Sequence, residues 1–328
     1  MKRYLITGGA GFIGSHIATG LVQRGDAVRV FDNLDSGNLK NLAHLEVGEQ
    51  GSGAPVEFVQ GDIRDVEALR AAFGQKGEIE GAFHEAAQVS VPRSIEEPEA
   101  SYAINVTGSL NVVESARRAG VRKIVAAASS AAYGDSDELP KHEAMTPNPL
   151  SPYASGKLAM EGILEVWAKV HRMHCVNLRY FNVFGPRQAD DSPYTGVIAI
   201  FARRLLDNLP ITIFGDGEQT RDFTFIDNVV AANLLAMDAG DDADTKIGPG
   251  EVFNVGVSER TSLNTLYGAM AELAGVELKP TYAEPRAGDV RHSLASLEKT
   301  RPLLGYDPKV GFREGIRATF DWYQAGTL

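Results

Sequence analysis

Cysteine and positive charge are both scarce in this sequence. The 328 residues include one cysteine, Cys175, so the chain forms no internal disulfide, which suits a reducing compartment. Acidic residues number 43 against 32 Lys and Arg, a formal charge of -11. Proteins that bind nucleic acid usually present a basic surface, because phosphate neutralisation supplies much of their affinity. We therefore expect no nucleic-acid partner, and we expect local arginines and backbone amides to hold any anionic ligand.

Long apolar runs are also missing. No run is long enough to cross a bilayer, and Met1 leads directly into a strand pattern without the regions of a signal peptide. We therefore expect a cytoplasmic protein with no membrane partner. Hydrophobic residues make up 44% of the chain, the balance of a globular protein rather than a disordered one.

The first half of the chain alternates β-branched runs with helical patterns. This rhythm predicts an α/β fold, a doubly wound parallel sheet with a ligand crevice at the carboxyl ends of its strands. The predicted strands are residues 4–7, 27–31, 56–60, 81–84, 123–128 and 174–180, and the predicted helices are 14–23, 101–119, 152–172 and 197–207.

The second half loses this rhythm. We predict that residues 1–184 form mainly the sheet domain, with a later return segment near 222–257. Residues 185–328 are expected to form mainly a smaller C-terminal α/β cap over the crevice. The acidic, glycine-containing stretch 238–250 is predicted to be a surface loop.

A glycine-rich turn follows the first predicted strand. Gly8, Gly11 and Gly14 have the spacing GxxGxxG between a strand and a helix. Such a turn lets the backbone approach a pyrophosphate at the helix N-terminus, as in Rossmann dinucleotide-binding domains. Glycines can also serve only as a turn, but this position favours cofactor binding. We assign Phe12 and Ile13 to the same site.

Acidic residues follow the next two strands. Asp32, at the end of the second strand, can accept hydrogen bonds from ribose hydroxyls and would repel a 2′-phosphate, which predicts NAD rather than NADP. Asp62 could read the adenine amino group, with a simple Asp cap as the alternative. We assign to the same NAD site Asn33, Ser36, Gly37 and Ile63.

Tyr153 and Lys157 are spaced to lie one turn apart on a helix. A free phenol has a pKa of about 10. A cation at roughly 4 Å favours the phenolate by on the order of 4 kcal/mol at an effective dielectric of 20, close to three pK units. A positive nicotinamide would act in the same direction. The pair therefore predicts a base that takes a hydroxyl proton while hydride leaves carbon, with a plain surface pair as the alternative.

Serines close the predicted strand 123–128. Ser129 can hydrogen-bond the reacting oxygen and help to pass its proton, and Ser130 lies beside it. Packing of small residues is the alternative. We predict no metal site, because His171, His174 and Cys175 lack further ligands.

Together these elements resemble the extended short-chain dehydrogenase/reductase family, and within it the UDP-sugar 4-epimerases. The resemblance covers nearly the whole chain. It rests on the motifs HEAA (residues 84–87), NVTG (105–108), SPY (151–153), RYFNVFGP (179–186), GDGEQTRDF (215–223) and RAGDVRHS (286–293).

The resemblance implies roles for further residues. Ala86 and Ala87 would line the NAD path, Phe181 would lie near the nicotinamide, and Asn105 would buttress the active helix within the cofactor site. Gln88 and Tyr180 are assigned to the same cofactor site. On the substrate side, Asn182 would contact the diphosphate, whereas the UDP would be held by Arg221, Arg286 and Asp289, as suits arginine forks on phosphate.

The resemblance also implies the reaction. Related dehydratases carry an Asp-Glu pair where this chain has Ser130 and Ala131, and decarboxylases keep the Glu. Because both acids are missing here, the remaining reaction of the family is oxidation at C4 followed by return of the hydride. This reaction is the epimerisation of a UDP-hexose. UDP-glucuronate 4-epimerase, another extended-family nucleotide-sugar oxidoreductase and a silent NAD- or UDP-sugar-sensing protein are the alternatives.

Two serines, Ser293 and Ser90, indicate which sugar the protein accepts. Epimerases restricted to plain hexoses often have a bulky aromatic at the position of Ser293, so a serine implies room for an acetamido group. Ser90 could donate a hydrogen bond to the sugar. The expected substrates are UDP-GlcNAc and UDP-GalNAc, and also UDP-Glc and UDP-Gal. Ala131 departs from that group, in which a third serine is usual. A homodimer through helices 101–119 and 152–172 is a family expectation.

Overall fold

A computed structural model describes residues 1–189, 196–241, 246–285 and 290–326. Within those ranges, no helix combines the length and the apolar composition that crossing a bilayer requires. The described strands are β1 (Arg3–Thr7), β2 (Ala27–Asp32), β3 (Val47–Glu49), β4 (Val56–Gln60), β5 (Gly81–His84), β6 (Lys123–Ser129), β7 (His174–Tyr180), β8 (Val183–Phe184), β9 (Thr212–Phe214), β10 (Thr220–Arg221), β11 (Thr224–Phe225), β12 (Val252–Val255), β13 (Thr261–Ser262) and β14 (Thr281–Ala283).

Helices connect most of these strands. A π-helical segment, Ala103–Gly108, joins α4 to α5. The described α-helices are α1 (Phe12–Gln23), α2 (Val66–Phe73), α3 (Val91–Glu96), α4 (Pro98–Tyr102), α5 (Ser109–Arg118), α6 (Pro152–His171), α7 (Val197–Leu206), α8 (Ile226–Asp238), α9 (Leu263–Ala274), α10 (Thr300–Leu304) and α11 (Phe312–Gln324).

Eight strands form one sheet in the order β12-β7-β6-β5-β1-β2-β4-β3. All neighbouring pairs in it are parallel. The chain leaves β1 in one direction through β2 and β4 and returns to the other side through β5, β6 and β7. This is the doubly wound Rossmann arrangement, so the predicted fold class is confirmed.

Both faces of the sheet are buried, as is usual for a parallel sheet. Leu5 of β1 belongs to the apolar core on one face, whereas Tyr4 and Ile6 belong to the core on the other. Helices α2, α5 and α6 supply apolar residues to the first core. Helices α1 and α8 supply them to the second, and they pack on each other. This burial holds the carboxyl ends of the strands in fixed register.

Helices of the second half of the chain form a further packed group. Its helices α7, α9 and α11 pack on one another. A two-stranded parallel sheet, β9 with β14, lies in the same part of the chain. The nearby strand β12 instead joins the main sheet beside β7.

Two predicted elements differ from the structure. The helix predicted over 101–119 begins earlier, at Pro98, and contains the π-helical turn. The loop predicted over 238–250 begins in helix, because Asp238 ends α8 and Ala239–Asp241 continue as a 3-10 turn. Residues 242–245 of that stretch lie outside the described residues.

Candidate active site

A cleft of about 1720 Å³ follows the carboxyl ends of the central strands. A pocket for one small ligand is usually about 300–1,000 Å³, so this cleft has the size for two nucleotide ligands. Most of the predicted site residues line it: Gly8, Gly11, Phe12, Ile13, Gly14, Asp32, Asn33, Ser36, Gly37, Asp62, Ile63, Ala86, Ala87, Gln88, Ser90, Ser129, Ser130, Tyr153, Lys157, Tyr180, Asn182, Arg221 and Ser293.

Two predicted cofactor residues do not line the cleft. Phe181 is fully buried, and its ring centroid lies 6.2 Å from that of Tyr133. Asn105 is also buried, and its side-chain amide exchanges two hydrogen bonds of 2.9 Å with the backbone of Gln88. Because both side chains face the protein interior, this geometry does not favour direct contact of either with the cofactor. Arg286 and Asp289 lie outside the described residues.

The glycine turn forms a cradle made of backbone. Gly8 has a positive φ of 71°, and a Cβ there would lie 2.6 Å from the backbone nitrogen of Ala86. A Cβ on Gly14 would lie 2.3 Å from the carbonyl oxygen of Gly8. The start of α1 therefore stays open to a ligand at its positive end. This arrangement fits the pyrophosphate of a dinucleotide.

Asp32 braces the same turn. Its Oδ2 accepts a 2.9 Å hydrogen bond from the backbone N–H of Ala10, and its Oδ1 accepts one of 2.8 Å from Leu34. Burial raises the pKa of this carboxyl, against those two hydrogen bonds. Gly37 lies so close that a Cβ would be 2.7 Å from Oδ1. The carboxylate therefore shapes the turn and also lines the cleft where a ribose is expected.

Asp62 already has strong partners. Its Oδ1 accepts hydrogen bonds of 2.8 Å from the backbone and Nε of Arg64. Its Oδ2 accepts from Asn33 at 2.9 Å and from Arg64 at 2.7 Å. The side-chain bonds from Arg64 keep the pKa of Asp62 well below its usual range. Recognition of adenine by this carboxylate would require part of the ion pair to open, so the capping alternative describes the structure better.

Ser129, Tyr153 and Lys157 meet at the edge of the sheet. Ser129 ends β6, and the Ser129 hydroxyl hydrogen-bonds the phenol of Tyr153. Helix α6 begins behind an N-cap, since Ser151 Oγ accepts from the N–H of Ala154 at 3.2 Å and Pro152 takes the first helical position. Lys157, one turn after Tyr153, donates a 2.6 Å hydrogen bond to the carbonyl oxygen of Ala127. The strand end and the helix start thus fix the three side chains.

The pKa of Tyr153 moves opposite to the sequence prediction. Burial raises it, and the hydrogen bond from Ser129 offsets only part of that rise. The sequence prediction of a lowered pKa included the charge of a bound nicotinamide, whereas in the protein alone desolvation disfavours the phenolate. Burial also lowers the pKa of Lys157, against the charges of Glu85 and Glu161. In the protein alone, burial therefore favours the neutral phenol, and added positive charge would favour the phenolate.

Asn105 supports α6 from behind. A Cβ on Gly156 would lie 3.1 Å from the Cβ of Asn105, so the glycine lets α6 approach the π-helical segment closely. The amide of Asn105 in turn holds the backbone of Gln88 at the cleft floor. This agrees with a buttressing role for Asn105, and π-helical turns are frequent beside functional sites.

Three residues predicted to bind substrate, Ser90, Arg221 and Ser293, line the cleft from outside the central sheet. Arg221 Nη1 donates to the carbonyl oxygens of Thr220 at 2.9 Å and Arg291 at 3.2 Å. The N–H of Ser293 donates to the same Thr220 oxygen at 3.0 Å, so Ser293 and Arg221 are held on one strand edge. Ser90 Oγ caps α3 by accepting from the N–H of Arg93 at 3.1 Å.

The cleft concentrates positive charge on an acidic protein. Seven cations but four acids line it among the described residues, in contrast to the formal charge of -11 for the whole chain. Such a local excess attracts a polyanionic ligand. The cations are Lys40, Arg93, Lys141, Lys157, Arg187, Arg203 and Arg221, and the acids are Asp32, Asp35, Asp62 and Glu85.

Arg187 and Glu85 line the cleft but were missed from the sequence. Arg187 Nη1 donates to Ser15 Oγ at 3.2 Å and to the carbonyl of Asn41 at 3.0 Å, which ties the start of the cap to α1. Arg187 follows the recognised motif RYFNVFGP, and Glu85 lies inside the recognised motif HEAA. That position was the only signal, because their partners are remote in sequence.

Comparisons with known proteins show which family the chain resembles over nearly its whole length. The UDP-glucose 4-epimerase of Mycolicibacterium smegmatis is 39% identical over 98% of each chain. The UDP-glucuronate 4-epimerase of Thermodesulfobacterium geofontis is 32% identical over 98% of this chain and 96% of its own.

Two solved structures share the fold over 99% of both chains. The UDP-glucose 4-epimerase of Thermotoga maritima, with UDP-glucose, has a TM-score of 0.90 at 38% identity. The UDP-N-acetylglucosamine 4-epimerase of Methanobrevibacter ruminantium, in complex with UDP-N-acetylmuramic acid, has a TM-score of 0.89 at 32% identity. Residues 4–256 match the model of the NAD dependent epimerase/dehydratase family. The resemblance seen in the motifs is thereby confirmed, and the chain belongs to the NAD dependent epimerase/dehydratase family.

Proposed function

We propose that the protein is an NAD-dependent UDP-sugar 4-epimerase, which inverts the C4 hydroxyl of a UDP-hexose. The observation that carries this proposal is the meeting of Ser129, Tyr153 and Lys157 in the same cleft as the glycine turn. A base beside a dinucleotide cradle is the arrangement that hydride removal from an alcohol requires. Ser130 and Ala131 offer no acid or base for eliminating water from the sugar.

Residues of the nucleotide-binding half are proposed to hold the cofactor. The backbone of Gly8, Gly11 and Gly14 would cradle the pyrophosphate, and Asp32 would face the ribose. When bound, NAD supplies a hydride acceptor that later returns the hydride, and its oxidised ring supplies positive charge. Because burial raises the pKa of Tyr153, that positive charge would act together with Lys157 to favour the phenolate.

The chain's own residues then move the proton. Tyr153, as phenolate beside protonated Lys157, takes the proton of the 4-hydroxyl, with the Ser129 hydroxyl bridging the two oxygens. The sugar loses one hydride at C4 and becomes a 4-keto sugar, held only through its UDP. After rotation about the diphosphate, the sugar regains the hydride on the opposite face, and Tyr153 returns the proton. No atom is gained or lost, so the product is the 4-epimer.

The substrate side is proposed to bind UDP through cations. Arg221, together with Arg286 and Asp289, would hold the nucleotide, and Asn182 would contact the diphosphate. Ser293 and Ser90 line the same cleft, which supports room for an acetamido group. UDP-GlcNAc and UDP-GalNAc are therefore the proposed preferred pair, and UDP-Glc and UDP-Gal are a second pair. A UDP-glucuronate substrate is the alternative, favoured by the UDP-glucuronate 4-epimerase among the relatives.

A product assay tests the proposal. Purified protein is incubated without added NAD with UDP-GlcNAc, UDP-Glc or UDP-glucuronate, and the sugar nucleotides are separated by chromatography. We expect each accepted substrate to approach equilibrium with its 4-epimer. Net release of water or carbon dioxide would refute the reaction class, and inversion of UDP-glucuronate alone would refute the proposed substrates. NAD binding without any turnover would instead support a sensing protein.

Ser293→Tyr tests the acetamido argument. A tyrosine would fill space beside the sugar, so the kcat/KM for UDP-GlcNAc is expected to fall by about tenfold or more relative to that for UDP-Glc. Such a loss corresponds to roughly 1.4 kcal/mol of transition-state binding. The measurement is the ratio of kcat/KM for the two substrates in the variant and in the wild type. Equal losses on both substrates would remove the basis for this substrate choice.

We also propose a homodimer formed by the helices around α5 and α6. Leu110, Val166 and Val170 are 37%, 51% and 66% exposed on these helices, an apolar surface that a second copy would cover. Sedimentation equilibrium is expected to give twice the mass of one chain. A monomer at micromolar concentration would contradict the proposal.

A further inference from the structure

Glu85 is a buried acid at the floor of the cleft. It follows β5 directly, and its backbone N–H donates to the carbonyl of Thr7 at 3.0 Å. Its Oε1 accepts a 3.0 Å hydrogen bond from the hydroxyl of Tyr180, and its Oε2 is buried without a hydrogen-bond partner. A carboxylate in this state is costly unless a nearby cation compensates it.

Lys157 is the cation of this part of the cleft. His84 is paired with Ala126 across β5 and β6, so Glu85 follows beside Ala127, whose carbonyl oxygen accepts from Lys157 Nζ at 2.6 Å. Burial raises the pKa of Glu85 to about 7, and the charge of Lys157 opposes that rise. Burial lowers the pKa of Lys157, and among the charges that oppose this fall that of Glu85 comes first. The other acid that acts on Lys157 is Glu161, which forms hydrogen bonds of 2.8 and 2.7 Å with Arg179. Arg179 offsets the charge of Glu161, whereas the hydrogen-bond partner of Glu85 is a neutral phenol.

The other titratable groups around Lys157 are neutral near pH 7. Burial, and then the charge of Lys157, lowers the pKa of His84 to about 3. Burial and Glu85 raise the pKa of Tyr180 well above its ordinary value. Burial also raises the pKa of Tyr153. Glu85 itself, with a pKa raised by burial to about 7, loses its proton as the pH rises through that value. In the alkaline range, the excess negative charge that faces Lys157 is therefore that of Glu85.

We propose that Glu85 is a positioning residue that keeps Lys157 protonated, so that Lys157 can stabilise the phenolate of Tyr153 during catalysis. This inference rests on the proposed function for its catalytic consequence. The link between Glu85 and Lys157 is a property of the resting protein. The proton held in this way stays on Lys157 Nζ, which also donates to the carbonyl of Ala127.

Glu85→Gln tests the proposal, because glutamine keeps an acceptor for Tyr180 and removes the charge. Loss of a negative neighbour lowers the pKa of Lys157, so Lys157 should lose its proton at a lower pH than in the wild type. We expect the alkaline limb of the kcat profile to move down by about one pH unit or more. The KM for the UDP-sugar should change little, and Glu85→Asp should restore part of the shift.

Glu161→Gln is the matched control. It also removes an acid that acts on Lys157, but it leaves Arg179 buried without its carboxylate partner. We expect this variant to lose thermal stability and to move the alkaline limb less than Glu85→Gln does. Equal shifts in the two variants would overturn the specific role of Glu85.

A titration of the resting protein separates this inference from the proposed function. The Cε resonance of Lys157 is followed by NMR in protein labelled with 13C-lysine, and its signal is assigned by comparison with Lys157→Arg. The midpoint should be about one pH unit or more lower in Glu85→Gln than in the wild type. An unchanged midpoint overturns the inference whatever the activity. A shifted midpoint in a protein that never turns over a UDP-sugar supports the pairing and refutes the proposed reaction.

Discussion

At the scale of single residues, the chemistry depends on how charge is arranged around one phenol. Burial raises the pKa of Tyr153, and the hydroxyl of Ser129 recovers part of that cost. A phenol enclosed in this way is a poor base until cations act on it. The site therefore couples two conditions, a protonated Lys157 and a positive cofactor ring, before a proton can leave the sugar.

Tyr153→Phe should separate binding from chemistry. Phenylalanine keeps the ring packed and removes the oxygen, so we expect kcat to fall by about 10²–10⁴ or more, the usual worth of a general base. Binding of UDP, measured by calorimetry, should change by less than about threefold. Tyr102→Phe, at a tyrosine 40% exposed on α4, is the control and should keep its kcat. Retained turnover in Tyr153→Phe would show that another group is the base.

At the scale of elements, the sequence predicted the central strands well because their signal is local. Runs such as Val56–Gln60 carry β-branched residues between turn residues, and the observed strand has those same bounds. The π-helical turn was not predicted, because no local pattern marks it. The contacts of Asn105, which lies in this turn, are with Gln88 and Gly156, which are distant in sequence. Arg187 was missed for the same reason, since Ser15 is 172 positions away.

The placement of the predicted site residues follows the same rule. Ser129 and Tyr153 each stand beside a strand end or a helix start that the sequence reveals, and both line the cleft. Asp62 was recognised as a strand-end acid, but whether such an acid faces a ligand or an arginine depends on side-chain placement. Spacing along the chain therefore predicts which edge a residue occupies and not which partner it contacts there.

Gly14→Ala should damage the cofactor cradle. The new Cβ would lie 2.3 Å from the carbonyl oxygen of Gly8 and 2.7 Å from the Cα of Gly9, so the turn must shift. We expect NAD affinity, measured by calorimetry, to fall by about tenfold or more, and the free energy of unfolding to fall by roughly 1–3 kcal/mol. Gly268→Ala in α9 is the control, because a Cβ there meets nothing within 4 Å. It should gain about 0.5–1 kcal/mol, and similar losses in both variants would contradict the cradle.

At the scale of the whole molecule, two histidines, half-buried His16 and buried His84, make the folded protein less stable in acid. Burial lowers the pKa of His16 to about 3, with Arg187 acting in the same direction. Burial also lowers that of His84 to about 3. His84 lies between Thr7 Oγ1 at 2.7 Å and Ser109 Oγ at 2.9 Å, a fully packed position. Other groups act oppositely, since burial raises the pKa of Asp222 to about 6.

The sign for each histidine follows from linkage. The unfolded chain protonates a histidine as the pH falls through about 6.5, whereas the folded protein resists until about 3. The contribution of a neutral, buried histidine to the free energy of unfolding is therefore fully present above pH 6.5 and decreases as the pH falls. The loss is about 1.4 kcal/mol per pH unit for each histidine. Asp222 offsets part of it, because the folded protein takes up that proton between pH 6 and about 4.

His84→Gln should therefore cost less stability as the pH falls. Glutamine fills similar space and can bond both hydroxyl neighbours, but it takes up no proton when the chain unfolds. Asp222 and every other titratable group act equally in both proteins, so the difference between them isolates His84. We expect the deficit of the variant at pH 7, in urea unfolding, to shrink by about 1.4 kcal/mol for each pH unit between pH 6 and 4. A deficit that stays constant with pH would mean that His84 is protonated in the folded protein, and that the core beneath the active site carries a charge.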